Sequence, residues 1–268
     1  MNFERRPLAS LSVIVITKNE AHNIEVCLQS VLFAQHIVVL DSGSTDDTVE
    51  KSRKLGAEVS ESLDWQGFGA QKNRALALAH GDWVLSIDAD ERVTPELQAE
   101  IQKVIENPAH EVYDFPRMSS YCGQYILHSG WYPDRVTRLF RRGVAVFSSE
   151  LVHERVVTNK SVGRLVSPLL HESFQNFESV LDKVNRYSSA GAQVLLEKGR
   201  TGSLGKAVTH GFWAFFRTYV LRCGFLDGRM GLVLAISNAE GTYYRYLKLW
   251  LMTRHKAAAS VAQAGSAK

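Results

Sequence analysis

The chain of 268 residues is 45% hydrophobic and 22% charged, which excludes wholesale disorder and suits one large α/β domain or one domain with an appendage. Its three cysteines form no CxxC pair, which argues against a disulfide scaffold or a zinc site and favours a reducing compartment. The net charge of +3 is unevenly divided: residues 1–203 carry 22 basic and 26 acidic side chains, whereas residues 204–256 carry 8 and 2.

Strand-like and helical patterns alternate through the first ninety residues. Apolar runs predict buried strands at residues 11–17, 36–40 and 83–87, and a short further strand is predicted at residues 57–59. Helical spacing predicts helices between them, at residues 23–33, 49–55 and 68–79. This alternation predicts a parallel, doubly wound sheet with right-handed crossovers. The missing GxGxxG and GxxxxGK[ST] motifs argue against a dinucleotide enzyme and a P-loop NTPase.

Polar clusters follow three of these strands, at residues 17–20, 41–44 and 88–90. Ligands of such sheets bind at the carboxyl ends of the strands, so these clusters predict a binding site there. Asp41 suits a hydrogen bond to a ribose or a base edge. The alternative for Asp41 is helix capping, although Ser44 and Thr45 are themselves suited to that role.

Asp88 and Asp90 are separated by one residue at the end of the fourth predicted strand, so they face the same side of an extended chain. Two like charges this close require positive charge between them. A hard divalent cation that also binds substrate phosphates meets that requirement. The alternative is a solvated acidic loop before the helix that Thr94 and Pro95 are suited to begin.

The chain changes character after a predicted helix at about residues 95–106. Short, aromatic-rich strands are separated by Gly and Pro turns, which can supply a pocket wall. Residues 138–142 offer either phosphate-binding arginines or a charged hairpin turn. Glu154, beside His153, can act as a general base or close a salt bridge at a strand end. His171 repeats the His-Glu pattern, and a lone histidine there is more often structural. Residues 177–197 predict a helix.

Several of these segments, in this order and spacing, resemble family 2 glycosyltransferases of the GT-A fold. The first segments are VIVITKNE at residues 13–20, DSGSTD at 41–46 and DAD at 88–90. The later segments are WYPD at 131–134, RLFR at 138–141, VHE at 152–154 and His171. The later set is similar to the bacterial enzymes that add a glucose to the inner core of lipopolysaccharide, the heptose β-1,4-glucosyltransferases. The likeness runs from about residue 11 to about residue 250 and is strongest in the first 90.

The resemblance implies a nucleotide-sugar site, a Mg²⁺ or Mn²⁺ ion and one catalytic base. Asp90 and His171 would meet the metal. Glu154 would be the base, although the family often has Glu-Asp where this chain has His153-Glu154. The implied nucleotide-sugar residues are Thr17, Asn19, Glu20, Asp41, Gln71, Asn73, Arg74 and Asp88. The implied acceptor or diphosphate residues are Trp131, Asp134, Arg138 and Arg141.

Residues 204–256 interleave aromatic and basic side chains without an uncharged run long enough to span a bilayer. Val208, Phe212 and Phe215 fall at helical spacing, and Arg217 and Arg222 follow. This pattern is typical of a helix in the interface of an anionic membrane. The alternative is a helical subdomain that packs on the catalytic body and forms a dimer. Residues 257–268 are small and polar and predict a disordered tail.

The sequence therefore predicts an α/β chain with a doubly wound, mainly parallel GT-A sheet and a C-terminal helical, basic-aromatic extension. The catalytic domain would occupy residues 1–203, with a nucleotide-binding half at about 1–107 and an acceptor half at about 108–203. Residues 204–256 would form the membrane-associating extension, so that the protein is peripheral on the cytoplasmic face of the bacterial inner membrane.

The resemblance implies an inverting, metal-dependent transfer of glucose from UDP-glucose to a lipid-linked acceptor, a heptose of the lipopolysaccharide inner core. Such a displacement needs a base on the acceptor side and a neutralised leaving diphosphate. One alternative keeps the fold and changes the acceptor to a polyprenyl phosphate, another glycan or a protein. Another is a non-catalytic nucleotide or nucleic-acid binder. The absence of an RNA-binding motif argues against a nucleic-acid partner.

Overall fold

The computed structural model describes residues 9–149 and 154–266 and divides the chain into two compact units. The first unit contains the described residues up to Met118 together with Pro133–His171. The second contains Ser119–Tyr132 and the described residues from Glu172 onward. The sequence places the main boundary after residue 203, whereas the structure divides the chain after His171.

Four parallel strands form the first half of the first unit. They are β1 (Leu11–Thr17), β2 (His36–Asp41), β3 (Glu58–Glu61) and β4 (Trp83–Asp88), in the order β3-β2-β1-β4. The connecting helices are α1 (Ile24–Gln29), α2 (Thr48–Lys54) and α3 (Phe68–Ala77). The predicted α/β class with a mainly parallel sheet is confirmed. Helix α1 is shorter than predicted, because residues 30–34 continue as turns.

Both faces of this sheet are buried along β1, β2 and β4, which explains why these strands lack a polar alternation. Val13 and Leu85 point into a core that also contains Leu28 of α1. Ile14 points to the opposite face, into a core that contains Ala75 of α3. Helices on both faces therefore hold the strands in place and leave their carboxyl ends as an open edge.

Strand β5 (Glu91–Val93) and helix α4 (Pro95–Glu106) follow β4. The predicted start of α4 is confirmed: Pro95 lies in the first turn, and the Thr94 hydroxyl accepts a hydrogen bond from the Leu97 amide.

The later strands are mostly antiparallel. They are β6 (Val112–Tyr121), β7 (Gln124–Tyr125), β8 (Asp134–Arg141), β9 (Val146–Phe147), β10 (Val156–Val157), β11 (Val162–Arg164) and β12 (Leu169–Phe174). Strand β8 pairs antiparallel with β4 and with β6, and β12 pairs antiparallel with β5 so that His171 lies opposite Glu91. Strand β6 continues through Pro116, where the sequence predicts only a short piece, and it passes from the first unit into the second after Met118.

The second unit is built mainly from three helices, α5 (Phe177–Glu197), α6 (Leu204–Phe216) and α7 (Gly228–Ser266). A π-helical turn at Arg217–Leu221 and a 3₁₀ turn at Gly224–Asp227 join α6 to α7. Helix α7 packs on both α5 and α6, which explains why α5 belongs to this unit. Helix α7 also covers residues 257–266, where the sequence predicts disorder. Within the described ranges, no helix combines the length and apolarity that crossing a bilayer requires.

Candidate active site at the carboxyl edge of the sheet

A cavity of about 570 Å³ opens at the carboxyl ends of β1, β2 and β4, all within the first unit. It is lined by Ile16, Thr17, Lys18, Glu20, Ser42, Trp65, Phe68, Asp88, Ala89, Asp90 and His171. Five of the residues that the sequence singles out for the site therefore come together here: Thr17, Glu20, Asp88, Asp90 and His171. This is the edge of a parallel sheet at which ligands bind.

Asp88 lies between two cations at the end of β4. Its Oδ1 is 2.8 Å from Lys72 Nζ, and its Oδ2 accepts a hydrogen bond from Arg138 Nη2 at 2.7 Å. Burial alone would raise the pKa of the Asp88 carboxyl, but the Arg138 guanidinium and the Lys72 ammonium more than reverse that effect and hold the pKa well below its usual range. Asp88 is therefore an ionised carboxylate whose two oxygens are both engaged by protein cations.

Arg138 is buried and contacts two carboxylates, those of Asp88 and Glu91. Besides contacting Asp88, its guanidinium lies 3.4 Å from Glu91 Oε1. Glu91 also pairs with Arg117 at 3.2 Å and accepts a hydrogen bond from the Asp88 backbone amide at 2.8 Å. Burial alone would lower the pKa of the Arg138 guanidinium, but Asp88 and Glu91 more than reverse that effect and raise it above its ordinary value. Arg138 therefore stabilises the acidic turn after β4 by pairing with Asp88 and Glu91 from the buried side.

Lys72 links Asp88 to Glu154. Its side chain is only 2% exposed, and its Nζ lies 2.7 Å from Glu154 Oε1. Sequence reasoning missed this lysine, although it lies between Gln71 and Asn73 in a helix that the resemblance had already assigned to the nucleotide site. Lys72 contacts both Glu154, the predicted base, and Asp88, a predicted donor-binding residue, only because α3 packs against the sheet. His153, the neighbour of Glu154, lies outside the described residues.

Gly69 allows the chain before Glu154 to approach α3. A Cβ at Gly69 would lie 1.8 Å from the Ser148 carbonyl oxygen, a distance that no side chain can occupy, and 3.6 Å from Glu154 Cβ. The second residue of α3 must therefore be a glycine for the segment near Ser148 to lie where it does.

Asp90 and His171 supply the ligand atoms at the cavity that fit a divalent metal. Asp90 Oδ2 lies 3.2 Å from His171 Nε2, and both residues line the cavity. A carboxylate oxygen and an imidazole nitrogen suit Mn²⁺, and Mg²⁺ is commonly held by one or two carboxylates with the remaining positions taken by water and substrate phosphates. Asp88 also lines the cavity, but protein cations already pair with both of its oxygens, which makes Asp90 the better placed carboxylate for a metal.

Another group of potential metal ligands lies at the opposite edge of the sheet. Ligand atoms of His36, Glu58 and His80 lie within 4.8 Å of one another, and His36 begins β2, whereas Asp41 ends it. His36 Nε2 is 3.0 Å from Glu58 Oε2. This group is therefore separate from the pair formed by Asp90 and His171.

Asp41 is completely buried at the end of β2 and organises its own turn. Its carboxylate accepts hydrogen bonds from the Gly43 and Ser44 amides at 2.8 and 2.7 Å and from the Thr17 hydroxyl at 3.0 Å. Asn19, at a positive φ of 57°, accepts a hydrogen bond from the Thr45 amide at 2.8 Å. These side chains shape the wall of the cavity beside Thr17.

Glu20 lines the cavity and accepts a hydrogen bond from the Asn23 amide group at 2.9 Å. Burial raises the pKa of the Glu20 carboxyl above its ordinary value, against the lowering effect of that hydrogen bond.

Besides Lys72, three polar residues of α3 make internal contacts. Gln71 is fully buried and donates to the Ser42 hydroxyl at 3.0 Å. Asn73 exchanges two hydrogen bonds of 2.9 Å with the Phe147 backbone. Arg74 forms an ion pair with Asp64 at 3.0 Å. These contacts fasten α3 to the strands and loops around the cavity.

The predicted acceptor residues do not form one cluster. Arg138 contacts Asp88, and Asp134 accepts from Arg117 at 2.6 Å. Arg141 pairs across the sheet with Trp83, the first residue of β4, because β8 runs antiparallel to β4. Arg141 therefore lies at the amino edge, away from Asp88. Trp131 belongs to the second unit.

Two cavity-lining aromatic residues were not anticipated from the sequence. Trp65 and Phe68 are both partly exposed, and their rings contact edge to face with centroids 4.9 Å apart. The available signal is an aromatic pair at the start of α3, with Trp65 in the segment before the helix and Phe68 as its first residue. An exposed aromatic wall offers a surface on which a base can stack.

Comparison with known proteins is consistent with this geometry. Residues 12–160 match the sequence profile of the family described as glycosyl transferase family 2. An uncharacterized glycosyltransferase of Rickettsia felis is 32% identical over 90% of this chain and 90% of its own. The lipopolysaccharide core biosynthesis glycosyltransferase LpsC of Rhizobium meliloti is 29% identical over 90% of this chain and 94% of its own.

Solved structures show more distant similarity. TarS from S. aureus is 17% identical over 92% of each chain, with a TM-score of 0.45. Glucosyl-3-phosphoglycerate synthase from Mycobacterium tuberculosis, solved with Mn²⁺ and UDP-glucose, is 26% identical, with a TM-score of 0.36 over 42% of this chain and 44% of that one.

Proposed function

The chain belongs to glycosyltransferase family 2, and we propose that it is an inverting enzyme that transfers glucose from UDP-glucose to a heptose of the lipopolysaccharide inner core. The observation that carries this proposal is the cavity at the carboxyl edge of the sheet, where Asp90 and His171 lie beside an ion-paired chain of Asp88, Lys72 and Glu154. A donor diphosphate, a metal and an acceptor base would all be needed within one such site.

The acceptor class is supported by the relative from Rhizobium meliloti. That protein is described as a lipopolysaccharide core biosynthesis glycosyltransferase, and its similarity extends over 90% of this chain. The similarity therefore includes the second unit as well as the cavity. On this basis we assign a lipid-linked saccharide as the acceptor.

The base assignment rests on Glu154. In an inverting transfer the acceptor hydroxyl attacks the anomeric carbon in line with the leaving diphosphate, and a carboxylate on the acceptor side takes the hydroxyl proton. Lys72 holds Glu154 Oε1 at 2.7 Å and leaves Oε2 to receive that proton. Lys72 and Arg138 together keep Asp88 charged and fixed, so that the turn carrying Asp90 keeps its geometry.

Donor binding is assigned to the cavity walls. Trp65 and Phe68 form an aromatic wall suited to the uracil, and Thr17 and Glu20 also line the cavity. Asp90 and His171 would hold Mg²⁺ or Mn²⁺ against the donor diphosphate. When bound, the metal supplies a Lewis acid that neutralises the charge developing on the leaving UDP.

The second unit is assigned to membrane contact on the cytoplasmic face of the bacterial inner membrane. Along α6, the side chains of Leu204, Val208 and Phe212 recur every four residues and are exposed, Phe212 at 70%. Trp213 adds a second exposed ring. Helix α6 and the turns after it also carry Lys206, Arg217 and Arg222. An exposed apolar stripe with nearby basic side chains suits the interface of an anionic membrane.

A donor screen tests the proposed reaction. The purified chain is incubated with UDP-glucose, UDP-galactose or GDP-mannose and with lipopolysaccharide truncated at the heptose region, and released nucleotide is measured with and without Mn²⁺ or Mg²⁺. We expect UDP release from UDP-glucose that requires both the metal and a heptose-terminated acceptor. Release with a polyprenyl phosphate and not with the heptose acceptor would overturn the acceptor assignment.

The metal role has its own control. Asp90→Ala should abolish both turnover and the thermal stabilisation that UDP with Mn²⁺ provides. The control Asp47→Ala removes an exposed carboxylate that does not line the cavity, and it should preserve turnover. Full metal-dependent turnover in Asp90→Ala would refute the assignment of Asp90 as the principal ligand.

A further inference from the structure

A second cavity, of about 440 Å³, lies wholly within the second unit. Its lining is drawn from the segment around Trp131, from α5, from the π-helical turn after α6 and from α7. The proposed transfer reaction assigns no role to it. Its lining combines four cations with an aromatic wall, and it contains no Asp or Glu.

The four cations are Lys183, Arg217, Arg222 and Arg245. The three arginines are exposed, and within residues 9–149 and 154–266 their guanidinium groups make no hydrogen bond and no ion pair. The first unit behaves differently, since Arg117, Arg135 and Arg138 each pair with a carboxylate there. Several like charges around one cavity are unfavourable unless an anion lies between them.

Two glycines provide space for two of these arginines. A Cβ at Gly130 would lie 2.4 Å from Arg222 Nη1, and a Cβ at Gly191 would lie 2.7 Å from Arg245 Nε. Any larger residue at either position would displace the guanidinium. All three arginines are exposed residues, and the side chains of Arg222 and Arg245 each lie against a glycine that leaves room for them.

The turn that carries Gly130 is itself fixed by a buried carboxylate. Asp227 accepts hydrogen bonds from the Leu127 amide at 3.0 Å, the His128 amide at 3.1 Å and the Ser129 hydroxyl at 2.8 Å. The Ser129 amide donates to the Arg222 carbonyl at 2.9 Å. The wall formed by this turn is therefore preorganised, which reduces the cost of ligand binding.

Aromatic rings form another wall of the cavity. The Trp131 and Phe174 rings lie 5.8 and 5.6 Å from the Tyr121 ring, measured between centroids. Hydroxyl and amide groups of Ser237 and Asn238 also line the space. An arginine guanidinium can donate two parallel hydrogen bonds to a phosphate, and a flat aromatic side chain can pack on the apolar face of a sugar ring. The combination matches a ligand that carries a sugar ring and a phosphate.

We propose that this cavity binds a phosphorylated saccharide, with the phosphate held by Arg217, Arg222 and Arg245 and the sugar ring against Trp131. The binding does not rest on the proposed transfer reaction, because it requires neither the donor cavity nor its metal. It assigns to the second unit a ligand-binding role in addition to membrane contact.

Calorimetric titration of the full chain tests the proposal. The probes are glucose 6-phosphate, inorganic phosphate and glucose. We expect glucose 6-phosphate to bind more tightly than inorganic phosphate, and glucose to show no measurable binding. Since a hydrogen bond between charged groups is worth about ten- to a hundredfold in affinity, Arg222→Gln and Arg245→Gln should each weaken glucose 6-phosphate binding by at least tenfold.

Matched variants separate this site from general charge. Arg229→Gln removes an arginine that does not line the cavity and should leave the affinity unchanged. Arg245→Lys keeps the charge without the fork and should give an intermediate affinity. Trp131→Ala should weaken glucose 6-phosphate and leave inorganic phosphate unaffected. Unfolding midpoints equal to that of the unaltered chain establish that each variant is folded.

Three outcomes would overturn the proposal. One is no binding of glucose 6-phosphate to the unaltered chain. Another is binding that survives both Arg222→Gln and Arg245→Gln, as expected if the phosphate occupies the donor cavity. The third is binding to phosphatidylglycerol vesicles that falls in Arg245→Gln while glucose 6-phosphate binding does not, which would assign the arginines to a lipid headgroup.

Discussion

Lys72 Nζ lies 2.8 Å from Asp88 Oδ1, and this contact joins the middle of α3 to the end of β4. The same ammonium lies 2.7 Å from Glu154 Oε1. One buried cation therefore positions two carboxylates that come from distant parts of the sequence. This contact connects the stability of the fold to the geometry of the proposed catalytic site.

Replacing Lys72 by Met should destabilise the protein and reduce turnover. Removing a buried cation leaves its partners without compensation: Glu154 loses its pairing with Lys72, and Asp88 keeps only Arg138. We expect the free energy of unfolding to fall by about 3 kcal/mol or more. Urea titration measures this change. The matched control is Lys54→Met, which removes an exposed pair with Glu50 of similar length and should change stability little. Equal effects of the two variants would contradict the role of Lys72.

The low pKa of Asp88 predicts a loss of stability in acid. Because the pKa of the folded state lies below that of the unfolded state, the contribution of Asp88 is present above about pH 4. It is lost as the pH falls from that value toward the folded-state pKa, since the unfolded chain binds the proton first. Urea titrations between pH 5 and pH 2.5 should show a smaller pH dependence in Asp88→Asn. An identical slope in the two proteins would exclude Asp88 as a source of acid sensitivity.

Glu154→Gln should keep UDP binding and lose turnover. The amide keeps the shape of the side chain but cannot take the acceptor proton, and general base catalysis contributes about 10²- to 10⁴-fold to rate. Single-turnover kinetics and UDP calorimetry measure the two properties separately. Glu96→Gln, an exposed change on α4, serves as the control. Full activity in Glu154→Gln would show that another group is the base.

Gly69→Ala should be far more damaging than Gly205→Ala. Both glycines are the second residue of a helix, α3 and α6 respectively. A Cβ at Gly69 meets the Ser148 carbonyl oxygen at 1.8 Å, whereas a Cβ at Gly205 meets its nearest atom at 3.9 Å. The first change should displace the segment before Glu154 and reduce kcat, and the second should stabilise the helix by up to about 1 kcal/mol. Thermal unfolding and turnover assays would reveal whether the two changes instead behave alike.

Phe212→Asp combined with Trp213→Ser should release the protein from anionic vesicles. The change interrupts the exposed apolar stripe of α6 and places a negative charge against an anionic surface. Sedimentation with vesicles of phosphatidylglycerol and phosphatidylcholine measures the bound fraction. Val166→Asp alters an equally exposed apolar residue of the first unit and should have no effect. Unchanged vesicle binding in the double variant would remove the membrane assignment of α6.

Local patterns were sufficient for the parallel half of the fold. Runs such as residues 11–17 and 83–87 are apolar on both sides, and only a strand covered on both faces requires that pattern. The position of Asp88 and Asp90 at the open edge follows directly, because the polar residues come where the buried run ends. The Thr94-Pro95 start of α4 is equally local, since the cap is formed within four residues.

Other features depended on contacts between distant segments. Residues 177–197 read correctly as a helix, but their assignment to the second unit required knowledge that α5 packs on α7. Arg138 and Arg141 look equivalent in the sequence. The antiparallel pairing of β8 with β4 brings the first to Asp88 and the second to the opposite edge.

The sequence by itself determined the family, the parallel sheet and the carboxyl edge at which the acidic residues gather. These follow from short-range periodicity and from motifs whose residues are neighbours in the chain. Only the tertiary structure decided that Lys72 pairs with both Asp88 and Glu154. It also decided that Asp88 pairs with two cations, while Asp90 and His171 line the cavity. Finally, it placed three arginines of the second unit around a separate cavity. Ion pairing depends on distances of a few ångströms between side chains, and such distances are set by the packing of segments that lie far apart in the sequence.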